Sequence, residues 1–276
     1  MIRHLACTAL AYLAVFAALA NPIEAQRAQW TEAVDQLSAT IAADVADDGV
    51  GGIAAGVMVD GDLVWADAWG LADRETREPM LPSSVSRTGS ISKSVTAVLM
   101  MILVDRGVIG LDDPVANYLP EFDELQARRP GTQDVTFRHL ASHTAGLVRE
   151  PDWSESVVGP ISEWENRVLQ SIPQTAYDSI PGARYQYSNI GFGMLGLALS
   201  RAAGRPFMDM VEEEIFAPLG MTGSSFVVEG AALEPRLAQG YTSRNDVVDG
   251  EAPAREHAGR GYKIPNGGVY STVGDL

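Results

Sequence analysis

The sequence predicts a mixed α/β fold, with strands near the start of the chain and helices through its middle. Three observations carry that expectation. Two strand-like runs, Ile53 to Val59 and Leu63 to Trp69, are joined by Asp60-Gly61-Asp62. An almost wholly apolar helical run extends from Val95 to Val104. From Val115 to about Gly240 the pattern is mainly short helices and proline-rich connections. With 276 residues, 46% hydrophobic and 20% charged, the chain can bury a substantial core and suits one large domain or two small ones.

Taken in order, residues 1–25 have the make-up of a secretory signal peptide. Arg3 and His4 form a short basic start, Leu5 to Ala20 carries no charge, and Ala20 and Ala25 are small residues at cleavage positions. That uncharged run is shorter than the ~20 apolar residues a spanning helix needs, and no other stretch is longer. The mature chain is therefore expected in the periplasm or secreted, without a stable membrane span. Cys7, the only cysteine, lies in this leader, so disulfides and Cys-ligated metals are excluded after cleavage.

Gln26 to Asp47 reads as an amphipathic helix, with Trp30, Val34, Leu37, Ile41 and Val45 at three- and four-residue spacing. Gly49 to Gly52 breaks it, and the hairpin follows. Arg74 to Arg87 is polar and contains proline, a loop. The helix after Ser90 is hydrophobic on every face, so central burial is expected, with Gly107 as its stop. Glu163 to Ser171 and Phe207 to Phe216 are the clearest later helices. Gly240 to Gly261 reads as a surface excursion. The last residues look like a helix beginning, with Thr272 and Asp275 at capping-box spacing.

Lys plus Arg total 20 against 36 Asp plus Glu, a net charge of −16. Phosphate recognition needs clustered basic residues, so nucleic-acid partners are not expected.

The chemistry is carried by two short motifs. In Ser90-Ile91-Ser92-Lys93 the serine and lysine are three apart at a helix start, on one face and within hydrogen-bond reach. A serine hydroxyl needs a base to become nucleophilic, and a desolvated lysine can serve. Gly89 is expected to relieve crowding where a substrate approaches. Tyr187-Ser188-Asn189 supplies a phenol able to relay a proton and a carboxamide able to donate or accept. It lies at a loop-to-helix junction, where Ser188 or Asn189 as a helix cap, with Tyr187 packing, is the alternative explanation.

Three other patterns are discounted. Gly191-Phe192-Gly193-Met194-Leu195-Gly196 spells a dinucleotide fingerprint but lacks the preceding apolar strand, so close helix packing is the better explanation. His139 and His143 are four apart, but Leu140 stands where a metalloprotease needs glutamate. His257-Ala258-Gly259 is taken as coincidence.

In their order, several segments resemble the serine β-lactamase and D,D-peptidase group, especially class C β-lactamases and related esterases and D-amino peptidases. These are Gly70 to Asp73, Gly89 to Lys93, Leu111 to Pro114, His139 to Leu147, Tyr185 to Asn189, Pro218 to Met221 and Gly267 to Thr272 with Asp275-Leu276. The resemblance implies a β-lactamase/transpeptidase-like α/β (α+β) fold: an antiparallel sheet joining both ends of the chain, flanked by helices, with a mainly helical region between. It implies that Ser90 is acylated, Lys93 helps deprotonate it and Tyr187 assists proton transfer. Asn189 would bind the substrate amide and orient Lys93, and the Ser90 backbone N–H would form half of an oxyanion hole. No cofactor or metal is implied. Expected substrates are small molecules or peptidoglycan fragments: β-lactams, D-amino peptides or esters. A carboxylesterase and a non-catalytic cell-wall-binding or sensor protein are the alternatives. The group's third element, Lys/His-x-Gly, falls after the Gly267-Gly268 block and is not found, since His257 precedes that block and His143-Thr144-Ala145 lacks the glycine. Residues 26–276 are therefore expected to form one hydrolase domain, incomplete at its C-terminal end.

Overall fold

A computed structural model describes residues 22–48, 51–126, 134–228, 232–244, 247–253 and 260–276. Most of the signal-peptide segment, and His257-Ala258-Gly259, lie outside the described residues. The chain divides into two compact units, one ending at Pro82 and one beginning at Ser83.

The first unit is built from α1 (Pro22–Asp48), β1 (Gly52–Val59), β2 (Asp62–Asp73) and β3 (Glu78–Pro79). The strands form an antiparallel sheet in the order β1-β2-β3. Asp60 and Gly61 both take positive φ, 52° and 90°, as the two-residue hairpin turn that matches strand twist requires. β2 runs four residues beyond the expected Trp69. The segment expected as a loop holds β3 and, in the second unit, β4 (Ser86–Arg87). Along α1, Trp30, Val34, Ile41 and Val45 are half-buried as the spacing predicts, whereas Leu37 is exposed.

The second unit is mainly helical, and its centre is α5 (Asn189–Ala203), in which every residue from Asn189 to Ser200 is buried. Packed around it are α2 (Ser92–Asp105), α3 (Phe137–Ala141), α4 (Trp164–Ser171) and α6 (Phe207–Val211). α6 continues through a π turn at Glu212–Phe216 into α7 (Ala217–Leu219). The helix after Ser90 was expected at the centre, but α2 buries only one face, through Leu99, Met100 and Leu103. Val98 and Met101 on its other face remain 47% exposed. The stretch expected as a surface excursion contains an antiparallel ribbon, β5 (Tyr241–Arg244) with β6 (Val247–Pro253).

The final segment folds back. After α8 (Ile264–Gly267), β7 (Tyr270–Ser271) pairs antiparallel with β4, immediately before Ser90. A turn follows, in which Leu276 N–H donates to Thr272 O at 3.3 Å, as in the first turn of the expected helix. Thr272 Oγ1 accepts from the Asp275 N–H at 3.3 Å, while the Asp275 carboxylate accepts from Gly223 N–H and the Ser224 hydroxyl.

The glycines of α5 do what close packing demands. A Cβ on Gly196 would lie 2.3 Å from Pro265 Cγ of α8, and one on Gly193 would meet Tyr262 at 3.0 Å. Gly196→Ala should therefore wedge α8 off α5 and cost about 1–3 kcal/mol, as overpacking does. Urea unfolding measures this; an unchanged midpoint would contradict the contact.

Candidate active site

Ser90 sits on a 3-10 turn, Gly89–Ile91, that runs into α2. Gly89 has φ +54°, and a Cβ there would meet nothing within 4 Å. The space beside it is open, and glycine suits its left-handed backbone. The turn is braced from the far end of the chain. Val269 O accepts from Thr88 N–H at 3.0 Å and from the Thr88 hydroxyl at 2.9 Å. Ser92 Oγ accepts from Val269 N–H at 3.1 Å and donates to Gly89 O at 2.7 Å.

Two polar groups converge on the Ser90 hydroxyl. Lys93 Nζ lies 3.1 Å from Ser90 Oγ, and the Tyr187 hydroxyl, 97 residues along the chain, lies 2.8 Å from it. Lys93 is buried and also donates to the Asn266 carbonyl at 3.1 Å. Its ammonium stands 4.7 Å from the Tyr187 ring centroid and 5.6 Å from that of Phe192. Burial pushes the Lys93 amine below the ordinary lysine range; Tyr187 and Glu150 oppose this and Arg149 reinforces it. For the Tyr187 phenol burial acts upward, but hydrogen bonds with Lys93 and Ser90 and the charges of Lys93 and Arg149 prevail and lower it. Both groups are thus drawn below their ordinary ranges, which suits them to carry protons nearer neutral pH.

Tyr187 is held by what surrounds it. Ser188 caps α5, its Oγ accepting from Gly191 N–H at 3.0 Å and donating to Val148 O at 2.8 Å. The cap and the site thus coexist in one tripeptide. His143 Nδ1 accepts the Ser188 N–H at 3.1 Å, and its ring lies 4.3 Å from that of Tyr187 and 4.9 Å from that of Phe192. Burial, then the Lys93 charge, lower the His143 pKa to about 4, so the imidazole is neutral at pH 7. His139 is placed differently: its Nδ1 accepts from Thr136 N–H at 3.2 Å and closes the capping box of α3. α3 ends before His143, which has φ +58°, so the two imidazoles do not share a helical face. Among the described residues, no His, Cys, Asp and Glu side chains gather into a metal-holding group.

Asn189 reaches the site by a different contact from the one expected. Its Nδ2 donates to Glu150 Oε1 at 2.7 Å, and Lys93 is met by the Asn266 carbonyl instead. Asn189 Oδ1 is buried without a hydrogen-bond partner. Glu150 also accepts from the Tyr262 hydroxyl and from Lys263 Nζ at 3.4 Å. Asn266 Nδ2 in turn donates to Asn189 O at 2.9 Å. Arg149 places its guanidinium 5.0 Å from the Tyr187 ring centroid. Arg149, Glu150, Tyr262 and Asn266 were not anticipated. Asn266 adjoins the Gly267-Gly268 block, the one signal that could have drawn notice to it.

A family model described as Beta-lactamase matches residues 37–276. The chain belongs to the beta-lactamase family. Among beta-lactamase relatives, it is 31% identical over 229 residues to the D-alanyl-D-alanine-carboxypeptidase/endopeptidase AmpH of Escherichia coli strain K12, covering 80% of this chain and 54% of AmpH. It is equally similar, 31% over 237 residues, to Esterase EstB of Burkholderia gladioli, covering 78% of this chain and 55% of EstB. The solved structure of the octameric penicillin-binding protein homologue from Pyrococcus abyssi superposes with a TM-score of 0.73 at 28% identity, covering 88% of this chain and 54% of that one. The chain spans about half the length of the curated relatives it matches. Its fold is β-lactamase/transpeptidase-like, antiparallel strands with helices, as the sequence resemblance implied.

The depressed His143 pKa has a stability consequence. Below pH 6.5 an unfolded histidine takes up a proton that the folded site resists down to about pH 4. Stability should therefore fall as pH drops through that window, by an amount on the order of 2–3 kcal/mol. His143→Gln keeps an acceptor and does not titrate, so its urea midpoint should vary less between pH 7 and pH 4.5 than that of the wild type.

Proposed function

We propose that this chain carries the acyl-transfer site of an exported serine hydrolase, with Ser90 as nucleophile, Lys93 and Tyr187 as proton carriers and Asn189 as a substrate-binding group. The observation that carries the reading is the convergence of Lys93 Nζ and the Tyr187 hydroxyl on the hydroxyl of Ser90, an exposed residue. In the reaction, Ser90 Oγ forms a bond to the substrate carbonyl carbon. Its proton passes to whichever of Lys93 and Tyr187 lacks one. The tetrahedral oxyanion is stabilised by the Ser90 backbone N–H. The carbon–leaving-group bond then breaks, the departing atom taking the proton back through Tyr187. Water attacks the resulting ester, again losing its proton to this pair, and Ser90 is restored. No step needs a cofactor.

Substrates of the β-lactam, D-amino peptide and ester classes fit this chemistry. The similarity to a carboxypeptidase/endopeptidase and to an esterase supports that range. Simple esters are the second reading, favoured by the likeness to EstB. Export is supported by the signal-peptide composition of residues 1–25. Among the described residues no helix is long and apolar enough to cross a membrane.

A fluorophosphonate or fluorescent penicillin should label Ser90 covalently, and Ser90→Ala and Lys93→Ala should each abolish labelling while the far-UV spectrum is retained. Tyr187→Phe should slow labelling about 100-fold or more, as loss of a positioned proton carrier does. Turnover of nitrocefin would assign β-lactams, and ester turnover without it the esterase reading. Complete failure of the wild-type protein to label would leave the non-catalytic binding protein.

A further inference from the structure

The chain has two lysines among its 20 basic residues, Lys93 and Lys263, and both lie at the candidate site. Every other basic residue is an arginine, whose charge does not titrate in the working range. Lys93 is surrounded by Ser90, the Asn266 carbonyl, the rings of Tyr187 and Phe192, and the charges of Arg149 and Glu150. His143 is also close enough to feel its charge. Arg149 and Glu150 are consecutive, opposite in sign, and absent from the chemical steps above.

Both are fixed in place. Val148 N–H donates to Ala176 O at 3.1 Å, and Val148 O receives the Ser188 hydroxyl. Arg149 O receives the Asn189 N–H at 2.9 Å, and Asp152 N–H donates to Gln174 O at 2.8 Å. The backbone between them is therefore tied to the start of α5 and to the 174–176 segment. From this mount Arg149 lies over the Tyr187 ring. Glu150 is gripped by Asn189, Tyr262 and Lys263, with Arg149 Nε 3.8 Å away.

We propose that Arg149 and Glu150 are positioning residues forming an opposed pair of charges: together they set the pH at which the Lys93–Tyr187 couple releases its proton, and with it the pH at which Ser90 becomes a nucleophile. This rests on the reading of Ser90 as the acylated residue. Arg149 disfavours the proton on both members of the couple, and Glu150 favours it on Lys93. The Arg149 side chain is 67% exposed and that of Glu150 37%, so salt screens the arginine more.

Two lysines make a direct test practical. In protein labelled with 13C at lysine Cε, two resonances are expected, and Lys263→Arg identifies the one from Lys93. Its titration is followed in the wild type, Arg149→Gln and Glu150→Gln. The midpoint should move up in Arg149→Gln and down in Glu150→Gln, and added salt should shrink the first shift more than the second. The rising limb of the pH profile for Ser90 labelling should move with the same signs. A purely structural role would slow labelling without opposite displacements. Unmoved midpoints, or displacement in one common direction, overturn the proposal. Opposite lysine shifts without labelling of Ser90 in any variant sustain the charge coupling and defeat the hydrolase reading instead. If Glu150→Gln does not fold, the upward shift and its salt dependence in Arg149→Gln decide.

Discussion

The arrangement depends on one buried amine. Lys93 is held between the Ser90 hydroxyl and the Asn266 carbonyl, beside the Tyr187 phenol. A charged ammonium in that position is desolvated, and desolvation is the leading cause of its lowered proton affinity. A carbonyl oxygen can accept from it but contributes no countercharge, so the amine is oriented without being locked in its charged form. An aspartate in place of that carbonyl would favour the ammonium and remove the base.

Holding a backbone carbonyl on a buried amine requires that two distant parts of the chain meet closely. Gly193 and Gly196 allow Tyr262 and Pro265 to approach α5 within distances that a side chain would forbid. Thr96 of α2 donates to Pro265 O at 2.5 Å. Val269, just beyond, braces the turn that carries Ser90. Packing, helix contact and site geometry are thus consequences of the same few residues between Tyr262 and Tyr270.

Much of this was legible in the sequence because it is local. The Ser-x-x-Lys spacing predicts one face of a helical turn, the Asp-Gly turn predicts a hairpin, and an α5 rich in apolar residues and glycine predicts close packing. Tyr187 could be singled out by residue type and by family resemblance. What escaped was non-local. Nothing in the spacing of Glu150, Tyr262 and Asn266 marks them as neighbours, since Glu150 stands more than a hundred residues from the other two. The ribbon of β5 and β6 was missed because its strands are polar and lack the alternation that flags a buried strand. α2 was expected at the centre because composition reveals how apolar a helix is but not which elements will cover it.

Ser188 ties α5 to the Val148 carbonyl while standing between Tyr187 and Asn189. Folding and reactivity therefore share a tripeptide, and natural variation there is filtered by both at once. A drift in sequence that spared the chemistry could still be eliminated for unwinding the central helix of the second unit. Strict invariance of these three letters among descendants would consequently be ambiguous testimony about catalysis.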